Sequence, residues 1–152
     1  MNLYQFRKFC NSQFEKNGFQ KTKNGYYILG ENILCGFKLQ KSNYGACCYV
    51  NVFFCIGDYR NALTLPGYYD LDIGFRICAM SKKQTIDGKP FITSMIEYEE
   101  YTEEELAYFF QQTFEEKILP PIYSGKKYIL ENLNKLYPLT LNKEEVLRKL
   151  RE

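Results

Sequence analysis

The chain has 152 residues, with 20 lysines and arginines against 18 aspartates and glutamates and a formal net charge of +2. A chain of this length buries about 70% of its unfolded surface as one domain, and 45% hydrophobic with 25% charged residues is a globular composition. We expect one domain over residues 1–152. The absence of histidine excludes Ser–His and Cys–His catalytic pairs and histidine metal sites.

Nothing in the sequence predicts export or membrane insertion. The first residues, Met1–Lys8, lack the apolar segment of a signal peptide, and no stretch has the roughly 18 apolar residues of a membrane helix. We therefore expect a cytoplasmic protein. The cysteines occur in apolar stretches, which favours reduced, buried thiols over disulfides or a zinc site. They are Cys10, Cys35, Cys47, Cys48, Cys55 and Cys78.

The first predicted element is an amphipathic helix. Apolar residues recur every three or four positions within Asn2–Asn17, and Gly18 follows where helices commonly end. Two short aromatic segments come next, Phe19–Lys23 and Tyr26–Leu29. They are separated by Asn24-Gly25, a dipeptide typical of a tight hairpin turn, so the two segments are predicted to pair.

Alternation of apolar and polar residues predicts the rest of a sheet. The strands are predicted at Ile33–Gln40, Ala46–Ile56, Leu71–Ala79 and Phe91–Tyr98. Loops are predicted at Gly57–Asp70, whose role stays open, and at Ser81–Pro90. Short connections require antiparallel pairing, because parallel neighbours need a crossover of about a dozen residues.

After the predicted sheet, apolar residues recur with the period of a helix. Thr102 and Glu105 have the spacing of a capping box, and the helix that follows is predicted to stop at Pro120-Pro121. A second helix is predicted to run to Pro138, and a short terminal one to be capped by Asn142. The fold class is therefore α+β: a single antiparallel sheet of about five or six strands, with an N-terminal helix and about two or three C-terminal helices packed on one face.

Four segments resemble a known family. They are Asn17-Gly18-Phe19, Asn24-Gly25-Tyr26-Tyr27, Phe37-Lys38-Leu39-Gln40-Lys41-Ser42 and Tyr49-Val50-Asn51-Val52. Over residues 17–80 the chain resembles the bacterial family called domain of unknown function 4304, which implies a small α+β protein with a leading helix and an antiparallel sheet. In that family a Gln-Lys-Ser segment ends one strand, an Asn lies in the next and an Arg follows. The residues that fit are Gln40, Lys41, Ser42, Asn51 and Arg76. The family has no settled activity, so the resemblance implies no mechanism.

Strand parity places a group of polar side chains on the face opposite the apolar one. If Ile33, Cys35 and Phe37 face inward, six polar residues project from the other face. They are Lys38, Gln40, Tyr49, Asn51, Asp72 and Arg76, and Thr93 or Glu97 could join them. Two interpretations stay open. One is a solvated face with cross-strand polar pairs; the other is a binding surface, which the presence of Tyr and Arg favours.

Three other patterns have both a chemical and a structural interpretation. The candidates for a metal-dependent hydrolase or nuclease are Asp70, Asp72, Glu97 and Lys38. Asp70-Leu71-Asp72 is also typical of a turn that enters a strand. The acidic residues between Glu97 and Glu105 are a candidate partner surface, or they complement the N-terminus of the following helix. Aromatic residues between Phe19 and Phe37 suit single-stranded nucleic acid, or a hairpin packed on its helix.

These observations favour a non-catalytic protein of the bacterial cytoplasm that binds another macromolecule. The contact would be the polar sheet face or the acidic zone, by which we mean the acidic residues between Glu97 and Glu105. By analogy with other small bacterial proteins, we expect an immunity or regulatory type. The expected partner is another protein rather than nucleic acid or a membrane, with no cofactor and no metal. The oligomeric state stays open. A metal-dependent hydrolase or nuclease is the first alternative, and a single-stranded nucleic-acid-binding protein is the second.

Overall fold

The computed structural model describes residues 1–23, 25–60 and 70–152. Within these ranges the helices are α1 (Leu3–Lys16), α2 (Glu103–Thr113), α3 (Leu119–Ser124), α4 (Lys126–Leu136) and α5 (Lys143–Arg151). The strands are β1 (Gln20–Thr22), β2 (Gly25–Gly30), β3 (Ile33–Lys41), β4 (Cys48–Ile56), β5 (Ile73–Arg76), β6 (Ala79–Ile86) and β7 (Lys89–Thr93). A π-helical turn (Phe114–Ile118) joins α2 to α3, and a 3₁₀ turn (Tyr98–Glu100) precedes α2.

Helix α1 begins with a capping box. The Asn2 side chain accepts a hydrogen bond from the Gln5 backbone N–H (2.8 Å), and the Gln5 side chain accepts one from the Asn2 N–H (2.9 Å). These bonds satisfy two backbone donors that the helix itself leaves unpaired. Gly18 follows the helix with a φ of 93°, a left-handed conformation that glycine adopts without steric cost. The predicted opening helix is confirmed.

Strands β1 to β5 form one sheet in chain order, and every neighbouring pair is antiparallel. The predicted hairpin is present, because Thr22 pairs with Gly25, although Asn24 of its turn lies outside the described residues. Most of the predicted loop at Gly57–Asp70 also lies outside them. Together with α1 and the C-terminal helices, this sheet confirms the predicted α+β fold class.

The helices cover the face of the sheet that strand parity predicts to be apolar. Cys35 and Phe37 of β3 and Val52 and Phe54 of β4 belong to one buried cluster with the apolar residues of α1, α2 and α4. The aromatic rings of Phe14 and Phe37 stack with centroids 3.5 Å apart, which fixes α1 on the sheet. Burial of this face supplies the main driving force for the fold.

The segment after β5 differs from its prediction. Residues Ser81–Pro90 are not a loop, because β6 and β7 pair there as a separate two-stranded sheet. The predicted strand at Leu71–Ala79 is divided between β5 and β6, and the predicted strand at Phe91–Tyr98 ends at Thr93. Most side chains of β6 are exposed, so this strand lacks the apolar alternation that would have predicted it.

Two predicted features of the C-terminal helices are wrong in detail. The prolines do not stop the helix, because the chain passes through the π-helical turn into α3, where both prolines occupy the first turn. A proline there lacks only an N–H that has no intrahelical partner. Asn142 makes no side-chain cap on α5 and has a left-handed backbone. The Thr102–Glu105 capping box is confirmed.

Two further expectations from the sequence concern the state of the cysteines and the presence of a membrane-spanning helix. All six cysteines are free, and Cys78 alone among them is partly exposed. Within the described ranges, no helix combines the length and apolar character required to cross a bilayer.

Candidate functional site

The sheet brings five of the six predicted polar side chains to one region of one face. In the antiparallel register, Lys38 lies opposite Asn51, Gln40 opposite Tyr49, and Asn51 opposite Arg76. Directly opposed side chains share a face of the sheet. Strands β3, β4 and β5 each contribute to this polar group, which is Lys38, Gln40, Tyr49, Asn51 and Arg76.

Arg76 is held in position by its neighbours. Its Nε donates to Asn51 Oδ1 (3.0 Å), and its Nη2 reaches Gln40 Oε1 (3.5 Å). Asn51 Nδ2 donates to the same Gln40 oxygen (3.2 Å), and the guanidinium carbon lies 3.9 Å from the centre of the Tyr49 ring. Stacking on tyrosine and neutral hydrogen bonds orient the guanidinium, and no described carboxylate pairs with its charge.

Asp72, the sixth predicted site residue, does not belong to this group. Its side chain is 8% exposed, and Oδ2 accepts a hydrogen bond of 2.7 Å from the backbone N–H of Ile56. Its other oxygen, Oδ1, accepts a bond of 2.7 Å from Nζ of Lys149 on α5. Asp72 precedes β5, where its N–H bonds to Phe54 O one position out of register, so strand parity no longer predicts its direction. The prediction for Asp72 was wrong, and its role is to attach α5 to the sheet.

A groove of about 840 Å³ lies beside the polar group. Residues Gly74–Arg76 of β5 line it, as do the last residue of α4 and most of the segment that follows, through Leu141. Its apolar floor includes Phe53 and Leu71 and, around the edge of β5, Phe75, which points to the opposite face of the sheet. Leu139 and Leu141 at the rim are 81% and 76% exposed, which is unusual for large apolar side chains so close together.

Three cationic side chains line this groove, and no described carboxylate does. They are Lys38, Arg76 and Lys117, and within the described part of the chain none of them forms an ion pair. Three uncompensated cations around an apolar floor create a positive potential that attracts an anionic group. Gln40 and Asn51 add polar groups at the same place.

Lys117 lies within the π-helical turn and lines the groove. Its Nζ lies 5.3 Å from the centre of the Phe75 ring, and its backbone carbonyl accepts a 2.7 Å hydrogen bond from the Tyr137 hydroxyl. A π-helical turn shifts the direction of the side chains that follow it, and such turns are common at functional sites. Lys117 was not predicted from the sequence, because only the tertiary fold brings it to β5.

The rim leucines were also missed. The signal available in the sequence was the alternation Pro138-Leu139-Thr140-Leu141, in which Thr140 is buried and both leucines are exposed. That pattern alone does not distinguish a rim from a buried loop. Cys78 also lines the groove, where burial raises the pKa of its thiol and keeps it protonated.

The other candidate sites take structural roles among the described residues. No group of three or more carboxylates and cysteines there is arranged to hold a metal, so Asp70, Asp72 and Glu97 do not form the predicted cluster. In the acidic zone, Lys83 pairs with Glu100 (2.9 Å), and a hydrogen bond from Lys82 lowers the pKa of Glu105. The aromatic residues Phe19, Tyr26 and Phe37 are buried in the core rather than available for stacking on bases. The hairpin packed on its helix is the correct interpretation.

Comparison with known proteins identifies a family. The family model described as Domain of unknown function (DUF4304) matches residues 10–122. No curated protein and no solved structure matches the chain. The matched segment includes the three cations of the groove and ends before its leucine rim. The match spans well over half of the 152 residues, and the chain therefore belongs to the DUF4304 family.

Proposed function

We propose that this protein is a non-catalytic binding protein that holds an acidic surface of a partner protein in the groove beside β5. One observation carries the proposal: Lys38, Arg76 and Lys117 line one groove with an apolar floor and with no described carboxylate among the lining residues. A site that only stabilised this protein would be expected to pair its cations internally. The buried ion pair of Asp72 and Lys149 illustrates that arrangement.

A protein partner fits the groove better than a small anion. A phosphate or carboxylate ion would neutralise the cations but leave Leu139 and Leu141 in water. A protein surface covers both kinds of group, and the apolar contacts add affinity. Arg76 stacked on Tyr49 also has the composition of an interface hot spot, in which a rigid aromatic and an arginine supply much of the binding energy.

Such a protein acts by occupying its partner's surface, so it requires a complementary rigid face and no catalytic group. The bacterial cytoplasmic setting and the immunity or regulatory role expected from the sequence belong to this proposal. The position of Arg76 supports it, because the side chain is oriented before any partner arrives and loses less freedom on binding.

The test is capture of partners from extracts of the native host after nuclease treatment. The bait is the wild-type protein, the double variant Arg76→Glu/Lys117→Glu or a matched control, Lys127→Glu/Lys135→Glu. The control reverses the charge at two exposed lysines of α4 that lie outside the groove. We expect a protein retained by the wild type and the control, with at least about tenfold less retained by the groove variant, because like charges at an interface are strongly unfavourable. Equal retention by all three baits, or no retained protein, would contradict the proposal.

A further inference from the structure

Strand β5 forms one edge of the sheet. The strand order ends at β5, and no described strand pairs with its outer side. Ile77 lies directly opposite Val50 in the register of the β4–β5 pair, and the Ile77 N–H donates to Val50 O (3.0 Å). Because antiparallel pairs alternate, Phe75 and Ile73 also direct their backbone groups toward β4. The N–H and C=O groups of Gly74 and Arg76 therefore point outward, and the Arg76 carbonyl accepts a weak hydrogen bond from the Cys78 thiol (3.6 Å).

The groove follows this outer edge. Gly74, Phe75 and Arg76 all line it, so the outward backbone groups open into the same space as the three cations. An unpaired strand edge is a template for another strand. Natural proteins usually block such an edge, and here Arg76 is the one charged side chain of the four-residue strand.

Gly74 leaves its backbone accessible. Gly36 and Gly74 both lie opposite Phe53, on its two sides. A Cβ atom added at Gly36 would lie 2.5 Å from Phe53 Cζ, whereas one added at Gly74 would lie no closer than 3.5 Å to Leu71 Cδ1. The Phe53 ring therefore covers Gly36, whereas Gly74 is not covered by that ring and has only an ordinary contact with Leu71. A glycine within a strand is common where another backbone approaches closely.

The surroundings of the edge specify the side chains of an added strand. On the polar face its direct neighbour is Arg76, which favours a carboxylate, and Lys38 lies two strands further into the sheet on the same face. On the other face its neighbours are Phe75 and the leucine rim, which favour apolar groups, and Lys117 beside Phe75, which adds one cation to that face. Side chains of an extended segment alternate between the two faces, so one segment with alternating acidic and apolar residues satisfies both.

We propose that the groove binds an extended segment of a partner protein, with alternating acidic and apolar side chains, as an additional strand on β5. This inference rests on the proposed function and names the form of the partner. The backbone of Gly74 and Arg76 supplies hydrogen bonds that are independent of sequence. The cations and the leucine rim select the side chains.

The test uses two synthetic fluorescent peptides that alternate glutamate with leucine. One has a normal backbone, and its twin is methylated on the alternate backbone nitrogens that would face β5. Both peptides have the same charge and side chains, but the twin cannot donate hydrogen bonds to the strand edge. We expect fluorescence anisotropy to give at least about tenfold weaker binding for the methylated twin, because two or more hydrogen bonds are lost.

A pair of substitutions at one position provides a second readout. Gly74→Pro removes the outward N–H at a strand edge that tolerates proline, whereas Gly74→Ala keeps it and places its Cβ in ordinary contact with Leu71. We expect Gly74→Pro to weaken the unmodified peptide about tenfold and Gly74→Ala to change its affinity less than about threefold. Thermal unfolding checks that both variants fold. If Gly74→Pro does not fold, the comparison of the two peptides alone tests strand addition.

Three outcomes would overturn the proposal that a partner segment adds to β5. Equal affinity for the two peptides, weakened in both by Arg76→Glu, would leave an anion-binding groove and so spare the proposed function. Failure of both peptides to bind would show that the groove does not bind a segment of alternating acidic and apolar residues. The proposed function would still be tested separately, by the capture experiment with charge-reversed baits. A dimer detected by analytical ultracentrifugation and dissociated by Gly74→Pro would place a second copy of the chain on β5.

Discussion

The two ends of β5 differ in how their charged side chains are compensated. Just before the strand, Asp72 is buried, and Ile56 and Lys149 occupy both carboxylate oxygens. At the other end, Arg76 is exposed, and its partners among the described residues are all neutral. A buried charge with complete pairing maintains the fold, because leaving it unpaired would be costly. An oriented charge without a counterion is available to a partner.

The largest expected effect is at the buried end. Asp72→Ala removes the hydrogen bond to Ile56 and leaves Lys149 without its counterion, so we expect a loss of about 3 kcal/mol in the free energy of unfolding. Asp70→Ala is the matched control, because Asp70 is exposed, and it should change stability by less than about 0.5 kcal/mol. Urea denaturation measures both. Equal effects would remove the distinction between the ends of β5.

Alanine substitutions at Gly36 and Gly74, on the two sides of Phe53, test whether one side of this ring is covered and the other is open. Gly36→Ala forces its Cβ against the Phe53 ring, and we expect about 2 kcal/mol of destabilisation from overpacking. Gly74→Ala meets only an ordinary contact and should change stability by less than about 0.5 kcal/mol. The two midpoints of denaturant unfolding give the comparison. A larger loss at Gly74 would mean that this side of Phe53 is covered.

At the exposed end, substitutions should separate binding from folding. Arg76→Ala and Asn51→Ala remove surface hydrogen bonds, so each should cost less than about 0.5 kcal/mol of stability. Both should reduce partner capture, and Arg76→Ala should reduce it more because it removes a charge. Thermal unfolding and retention in capture experiments provide the two readouts. If both variants unfold the protein, these residues are structural and the groove is not a binding site.

The smallest effect concerns alkaline pH. The hydrogen bond to Asp72 raises the pKa of Lys149 above its ordinary 10.5 in the folded state. The pair's contribution to stability is therefore complete below about pH 10 and lost as pH rises through the folded pKa. Wild type and Lys149→Met should differ in stability at pH 8 and converge as the pH rises through the folded pKa of Lys149. Lys135→Met, an exposed control, should show no such convergence. A constant difference at all pH values would contradict the ion pair.

The sequence predicted the regular part of the sheet well. Lys38 and Gln40 lie on the predicted face, because β3 pairs with β4 over nine residues without a register shift. The predicted position of Asp72 was wrong because the register shifts where β5 begins and because its partner Lys149 lies 77 residues away. The β6–β7 hairpin was not predicted, because both faces of β6 are exposed and its sequence lacks apolar alternation. Local sequence contains no signal for the register shift or for the hairpin.

The groove itself was beyond local reasoning. It joins β5, the π-helical turn and the segment after α4, which are separated along the chain. Lys38, Arg76 and the hydrogen-bond partners of Arg76, Gln40 and Asn51, were predicted, since strand alternation acts within the sheet. Lys117, Leu139 and Leu141 required the packing of the C-terminal helices.

Site-specific photocrosslinking in the native host tests the binding role of the groove most directly. A photoreactive phenylalanine derivative replaces Leu139 at the groove rim or, as a control, Tyr108 on α2, which is 61% exposed and does not line the groove. Our account predicts a covalent adduct with another protein from position 139 and none from position 108. An adduct from position 108 alone, or none from either position, would contradict it.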